Sequence, residues 1–210
     1  MGRAIAMLGL VVGIAGLVLQ FALSIPSSMA AGRSLLSSLI WFFSFFTILT
    51  NVGAVLVYMA VLTGRPGWFR RDSVQAGVLV AIVVVCIVYA TVLAALWQPR
   101  GLFLLADVVL HYVAPAIFTI WWVGFARAGT TGLRDMAGWL AYPLAYLGWV
   151  MLRGAFAGEY PYPFLDLTVN SLAQVLLSSA AILGLFIVVS AIAVAADRLL
   201  PPSRKPSTQT

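Results

Sequence analysis

The chain has 210 residues, of which 63% are hydrophobic and only 9% are charged, whereas a soluble domain carries about 25% charged residues. This composition excludes a secreted disulfide scaffold, a disordered protein and an ordinary cytosolic enzyme, and it indicates an integral membrane protein. The net charge is +6, but the arginines lie at the ends of apolar runs, which favours a membrane topology over a nucleic-acid partner. With a single cysteine, Cys86, and a single histidine, His111, the chain has no internal disulfide and no zinc site.

Apolar runs that are poor in charged residues predict six membrane-spanning helices. A helix needs about 20 apolar residues to cross a bilayer core of about 30 Å, and no segment alternates as a barrel strand does. We therefore predict an all-α polytopic membrane protein, a six-transmembrane-helix bundle that forms one domain over residues 1–200. The spans lie near residues 4–25, 35–62, 73–97, 102–125, 136–153 and 169–196, and residues 201–210 form a disordered cytoplasmic tail.

The basic residues predict how these spans are oriented. If the N-terminus is cytoplasmic, nine basic residues fall on the cytoplasmic side and three fall outside. Cytoplasmic loops carry the excess of Lys and Arg, so both termini are expected in the cytoplasm. The cytoplasmic set is Arg3, Arg65, Arg70, Arg71, Arg127, Arg134, Arg198, Arg204 and Lys205, and the outer set is Arg33, Arg100 and Arg153.

The second predicted span carries a stripe of polar side chains. At about 100° per residue, one face of a continuous helix collects Ser37, Ser44, Thr47 and Asn51, with Thr50 to one side. Polar groups within a membrane usually face the interior of the bundle. Two interpretations stay open: the side chains bond backbone carbonyls four residues earlier and join helices, or they form part of a site.

The fourth predicted span carries two ionisable residues, Asp107 and His111, four positions apart. That spacing places them on one helix face, where a carboxylate fixes the tautomer of an imidazole, as in a hydrolase triad. Thr47 and His111 lie about 12 and about 9 residues into their spans, so their depths differ by roughly 4–5 Å. An alcohol, an imidazole and a carboxylate are the elements of an acyl-transfer site, and a structural Asp–His pair is the alternative. Pro115 is expected to loosen the helix one turn earlier and to free a carbonyl.

Three passages of the chain are, taken together, similar to one known family. They are Phe45-Phe-Thr47-Ile-Leu-Thr-Asn51, Leu110-His111-Tyr-Val-Ala-Pro115 and Tyr160-Pro-Tyr-Pro-Phe-Leu-Asp166. They resemble the androgen-induced-gene family of multi-pass membrane threonine hydrolases, in particular its small bacterial six-helix branch. The resemblance implies hydrolysis of fatty acid esters of hydroxy fatty acids in a bacterial plasma membrane. It also implies a membrane-embedded Thr and His, which match Thr47 and His111.

The leading hypothesis is an intramembrane lipid-ester hydrolase that acts on fatty-acyl esters and needs no metal or organic cofactor. Thr47 is the expected nucleophile and His111 its base, and Asp107 orients the imidazole. The residues expected to bind substrate or the oxyanion are Asn51, Tyr112, Ser44 and Arg153. The expected partners are membrane lipids or an acyl-ester substrate. The alternatives are a small-solute transporter and a non-enzymatic scaffold or lipid-sensing protein, for which Gly9 and Gly13 offer a helix-contact surface.

The excess of basic residues on one side predicts that the loops after the second and fifth spans lie on opposite sides of the membrane. In a chain with Cys86→Ala, a cysteine at Gly158 should react with a membrane-impermeant maleimide added outside the cell. A cysteine at Gly64 should react only after the membrane is permeabilised. Equal labelling of both positions from outside contradicts this topology.

Overall fold

The computed structural model describes residues 1–203, which form helices and turns without a β-strand. Seven helices of at least eight residues lie in this part of the chain: α1 (Gly2–Ala30), α2 (Leu35–Phe42), α3 (Phe46–Thr63), α4 (Asp72–Leu93), α5 (Leu102–Ala126), α6 (Leu133–Ala157) and α7 (Leu172–Leu199). Five of them, α1, α3, α4, α5 and α7, are long and apolar enough to cross a membrane. The all-α prediction is confirmed for these residues. Most of the predicted tail, residues 204–210, lies outside the described residues.

The second predicted span is two helices, which corrects the prediction of one continuous helix over 35–62. α2 ends at Phe42 and α3 begins at Phe46. A hydrogen bond from α6 stabilises the break. The Tyr146 hydroxyl donates to the Ser44 carbonyl oxygen at 2.7 Å, in place of the backbone N–H that this carbonyl would bond in a continuous helix. The predicted polar stripe is therefore interrupted, and Ser37 on α2 is only half-buried.

α6 is longer than the predicted fifth span at 136–153. It runs from Leu133 to Ala157, a length of 25 residues, which is enough to cross a bilayer core. It is nevertheless not among the five helices that are long and apolar enough to cross a membrane, because Arg134, Asp135, Arg153 and several Tyr, Trp and Pro residues lower its mean hydropathy. The predicted count of six membrane spans therefore stays a prediction.

Polar contacts bring the N-terminus of α1 and the C-terminus of α7 to the same end of the bundle. Arg3 at the start of α1 donates to the Leu62 carbonyl at the end of α3, at 3.3 Å. The first turn of α1 also lies against Phe125 at the end of α5. Arg127, just beyond it, donates to the Ala196 carbonyl of α7 at 3.0 Å. Successive long helices therefore alternate in direction, and α2 and α3 run in the same direction across the bundle.

α4 lies in the middle of the bundle and packs against α3, α5, α6 and α7. Its interior face is fully buried at Val80 and Ile82. The last turn of α4, Tyr89–Leu93, is a π-helix. The buried Tyr89 lies at the start of this turn, and its ring reaches the middle of α5.

Glycines on α1 let this helix approach α3 closely. A β carbon at Gly9 would overlap the ring of the buried Tyr58, and one at Gly13 would lie 2.8 Å from a methyl group of Val55. Side chains do not fit at such distances, so only glycine permits this packing. The predicted helix-contact surface at Gly9 and Gly13 is confirmed, and it is used within the chain.

Replacing Gly9 by Ala should lower the stability of the fold. The added methyl group forces Tyr58 to move within a packed core, and such overpacking costs about 1–3 kcal/mol. The matched control is Gly148→Ala on α6, where a β carbon meets no atom within 4 Å and helix propensity favours Ala by up to about 1 kcal/mol. Thermal unfolding in detergent measures both, and equal midpoints for the two variants would show that the α1–α3 contact is not tight.

Candidate active site

Thr47 and His111 meet where α3 faces α5. The Thr47 Oγ1 lies 3.2 Å from the His111 Nε2, which is within hydrogen-bond reach. Thr47 is 7% exposed and the His111 side chain 15% exposed, so the pair is largely removed from solvent. The predicted contact between these side chains is confirmed. Thr50, the less favoured nucleophile, instead bonds the Tyr142 hydroxyl of α6 at 3.0 Å.

Asp107 contacts the other edge of the imidazole. The His111 Nδ1 lies 3.0 Å from the Asp107 carbonyl oxygen and 3.2 Å from its carboxylate Oδ1. A backbone carbonyl oxygen only accepts hydrogen bonds, so Nδ1 carries the proton. Nε2 is then left as the acceptor for the Thr47 hydroxyl. The predicted contact between residues four positions apart on α5 is present.

Tyr89 of α4 supports this pair, and the sequence patterns did not identify it. Its ring stacks on the His111 ring with a centroid distance of 3.8 Å and an interplanar angle of 16°. Its hydroxyl donates to the Asp107 Oδ2. Stacking fixes the plane of the imidazole, and the hydrogen bond orients the carboxylate. The only sequence signal for this role was a tyrosine within the third predicted span, which is otherwise apolar.

Pro115 widens α5 beside the site. The turn before it, Val109–Val113, is a π-helix. In a π-helix the Leu110 carbonyl would accept from the backbone N–H of residue 115. Residue 115 is proline and has no N–H, so this carbonyl lacks its helical partner. The Asn51 amide donates to this carbonyl at 3.2 Å and to the Thr47 carbonyl at 2.9 Å. The predicted loosening is confirmed, and Asn51 joins α3 to α5 beside the Thr–His contact.

Asn51 and Tyr112, which were predicted to bind the oxyanion, have other positions. Both amide hydrogens of Asn51 are directed at backbone carbonyls, so no donor is left for an oxyanion. Tyr112 packs edge-on against Tyr89 with a centroid distance of 5.5 Å. It is 37% exposed and does not line the cavity around the Thr–His contact. Their predicted roles are therefore corrected.

Ser44 and Arg153, which were also predicted to bind substrate, lie outside both cavities at the site. The Ser44 hydroxyl donates to the Ile40 carbonyl at 2.6 Å, so Ser44 follows the structural interpretation, in which a hydroxyl bonds the carbonyl four residues earlier. Arg153 donates to the Glu159 carboxylate. Neither side chain contacts the Thr–His pair.

The break between α2 and α3 places a helix N-terminus at Thr47. The backbone N–H of Thr47 points to the Tyr162 hydroxyl oxygen at 3.4 Å, and helix N-termini carry partial positive charge. Tyr162 belongs to the loop after α6, and its burial raises the pKa of the phenol. The phenol therefore stays neutral and keeps a proton to donate. Tyr162 lies within one of the three passages quoted above, but its sequence context gave no signal for this role.

Hydrogen bonds within the loop after α6 hold Tyr162 in place. The Asn170 amide donates to the carbonyls of Pro163 and Asp166 at 2.7 and 2.9 Å. Phe164 stacks on Tyr162 with a centroid distance of 5.3 Å and an interplanar angle of 5°. The loop therefore presents the phenol to the start of α3 from a fixed position.

Two cavities meet at Thr47. The apolar cavity, about 280 Å³, is lined almost wholly by apolar side chains of α4, α6 and α7. The second cavity, about 540 Å³, has more polar side chains in its wall and is called the polar-walled cavity. It extends past Asp107 and His111 to the turn after α1. Three residues, Thr47, Leu93 and Tyr162, line both. Thr47 thus lies between two spaces of different polarity, and His111 faces the second of them.

Comparisons with known proteins do not assign the chain to a family. No family profile, curated protein or solved structure matches it. The resemblance to the androgen-induced-gene family therefore stays a prediction from three short passages.

Replacing Asn51 by Leu should destabilise the protein by about 1–3 kcal/mol, because two buried carbonyls lose their donor. The matched control is Thr91→Val on α4, where an exposed hydroxyl bonds the Ile87 carbonyl of its own helix. We expect that change to be within about 0.5 kcal/mol. Chemical unfolding in mixed micelles compares them, and a neutral Asn51→Leu would show that the amide does not join the helices.

Proposed function

We propose that the protein is an intramembrane lipid-ester hydrolase with Thr47 as nucleophile and His111 as general base. The observation that carries this proposal is the series of contacts from Tyr89 through Asp107 and His111 to the Thr47 hydroxyl. Each member orients the next, as a nucleophile, a base and an orienting group do in acyl transfer. The series ends at the junction of the two cavities, where an ester can place its carbonyl.

In the first half-reaction, the Thr47 Oγ1 forms a bond to the ester carbonyl carbon while its proton moves to the His111 Nε2. Asp107 stabilises the resulting imidazolium. The O–H of Tyr162, whose oxygen already accepts from the backbone N–H of Thr47, is the donor nearest to the developing oxyanion. Such a preorganised donor contributes a few kcal/mol in acyl transfer. The bond to the alcohol oxygen then breaks, and the alcohol leaves with the proton from His111.

In the second half-reaction, water attacks the acyl-enzyme. His111 takes a proton from the water as its oxygen bonds to the acyl carbon. The tetrahedral intermediate collapses, the bond to the Thr47 Oγ1 breaks, and the proton returns to that oxygen. The products are a fatty acid and the free threonine hydroxyl, so the cycle uses only the ester and one water molecule.

The proposed setting is a bacterial plasma membrane, crossed six times with both termini in the cytoplasm. Five helices have the length and apolarity for this. α6 adds support for a sixth crossing, because Leu144, Leu152 and Phe156 on its outer face are more than half exposed. Such side chains suit contact with lipid better than contact with water.

The catalytic assignment is tested by purifying the protein in detergent and measuring hydrolysis of a long-chain acyl ester. Thr47→Ala and His111→Ala should each lower kcat by at least about 10³-fold, and Thr47→Ser should keep part of the activity. Asp107→Asn should slow turnover by roughly 10²–10⁴-fold without unfolding the protein.

The matched control is Thr50→Ala, which removes the neighbouring threonine hydroxyl that bonds α6. It should keep most of the activity. A fluorophosphonate probe should label Thr47, as located by mass spectrometry of the labelled peptide. Wild-type hydrolysis by Thr47→Ala, or labelling at another residue, would remove the nucleophile assignment.

A further inference from the structure

The last turns of α1 carry a polar face that the mechanism above does not use. Gln20, Ser24, Ser27 and Ser28 follow the spacing i, i+4, i+7 and i+8, which puts them on one side of a helix. All four line the polar-walled cavity. Polar groups on an apolar helix are costly within a membrane unless they find partners. The Gln20 amide donates to the Ser24 hydroxyl at 2.7 Å, and the face as a whole lies where it can meet polar groups within the cavity.

Two hydroxyls in the same wall are buried without a partner. Ser28 is 9% exposed and Ser38, on α2, is 0% exposed. Neither Oγ has a hydrogen-bond partner among residues 1–203. A buried hydroxyl without a partner costs free energy, and a polar ligand in the cavity would supply the missing partner.

Arg33 lines the same cavity between α1 and α2 and brings an excess of positive charge. Its Nε and Nη2 donate to the Glu159 Oε1 at 3.2 and 3.1 Å, while Arg153 donates to the other carboxylate oxygen. One carboxylate shared by two guanidinium groups leaves a net charge of about +1. The Trp41 ring lies against both, 4.8 Å from Arg33 and 5.4 Å from Arg153.

We propose that the ester is divided at Thr47, with its acyl chain in the apolar cavity and its alcohol half in the polar-walled cavity, where Arg33 binds an anionic group. The substrate class is an acyl ester of a short polar alcohol that carries a phosphate or a carboxylate, such as a monoacyl glycerol phosphate. If the alcohol half were a plain alkyl chain, it would cover Ser28 and Ser38 without giving their hydroxyls hydrogen-bond partners. This inference rests on the proposed hydrolase function.

Ether analogues test the anion site without any catalytic step, because they contain no ester. The probes are 1-O-hexadecylglycerol 3-phosphate, the corresponding ether of glyceric acid, and neutral 1-O-hexadecylglycerol, titrated into the full chain in micelles with tryptophan fluorescence as the readout. At least one of the two anionic ethers should bind about tenfold or more tightly than the neutral ether. Arg33→Gln should remove that preference.

The matched control is Arg100→Gln, which removes an exposed arginine of the loop before α5 that does not line the cavity. It should keep the preference. Ser28→Ala provides a second variant: it should weaken binding of the anionic ether about threefold or more without lowering the unfolding temperature. A role in folding alone would instead lower the unfolding temperature and leave binding intact.

Each outcome decides between the possibilities. A preference for the phosphate alone identifies a phosphate site, and a preference for both anions identifies a shared anion site. Equal binding of all three ethers, or a preference that survives Arg33→Gln, overturns the inference. If the protein binds the anionic ethers more tightly but hydrolyses no ester, the hydrolase proposal is contradicted and the anion site is retained.

Discussion

The break between α2 and α3 is the feature on which the candidate site depends. In an apolar interior, each backbone group without a hydrogen-bond partner costs several kcal/mol. The break is tolerated because the Tyr146 hydroxyl donates to the Ser44 carbonyl and the Tyr162 hydroxyl accepts from the Thr47 N–H. Both hydroxyls come from α6 and the loop that follows it. The same break brings the Tyr162 hydroxyl to the proposed nucleophile, so a structural irregularity also positions a donor that the proposed acyl transfer would use.

A second irregularity lies opposite the first, in α5. Pro115 leaves the Leu110 carbonyl without its helical partner, and Asn51 of α3 supplies the missing donor. The same amide also holds the Thr47 carbonyl. One side chain thus joins the two irregular segments and sets the distance between the hydroxyl of α3 and the imidazole of α5. The need to bond these two carbonyls therefore explains the presence of Asn51 better than contact with a substrate does.

Local spacing predicted part of the site, and long-range contacts account for the rest. Asp107 and His111 are four residues apart on one helix, so their contact follows from helix geometry alone. The break is different. Residues 35–52 contain neither Gly nor Pro, so their sequence predicts one continuous helix. The hydroxyls that stabilise the break belong to residues about 100 positions further along the chain. Tyr89 and Tyr162 were missed for the same reason. The helical class and the approximate positions of the long helices follow from the apolar runs of the sequence, which is why they could be predicted.

Charge is distributed unevenly along the polar-walled cavity, and this bears on how a ligand would lie in it. Asp107 brings a carboxylate to the end beside Thr47, with donors from Tyr89 and His111, while Arg33 brings excess positive charge to its own part of the wall. Charges interact more strongly in a region of low dielectric than in water. An anionic group is therefore repelled from the end beside Thr47 and attracted towards Arg33. An ester that carries such a group would be held in one orientation, with its carbonyl at Thr47 and its acyl chain in the apolar cavity.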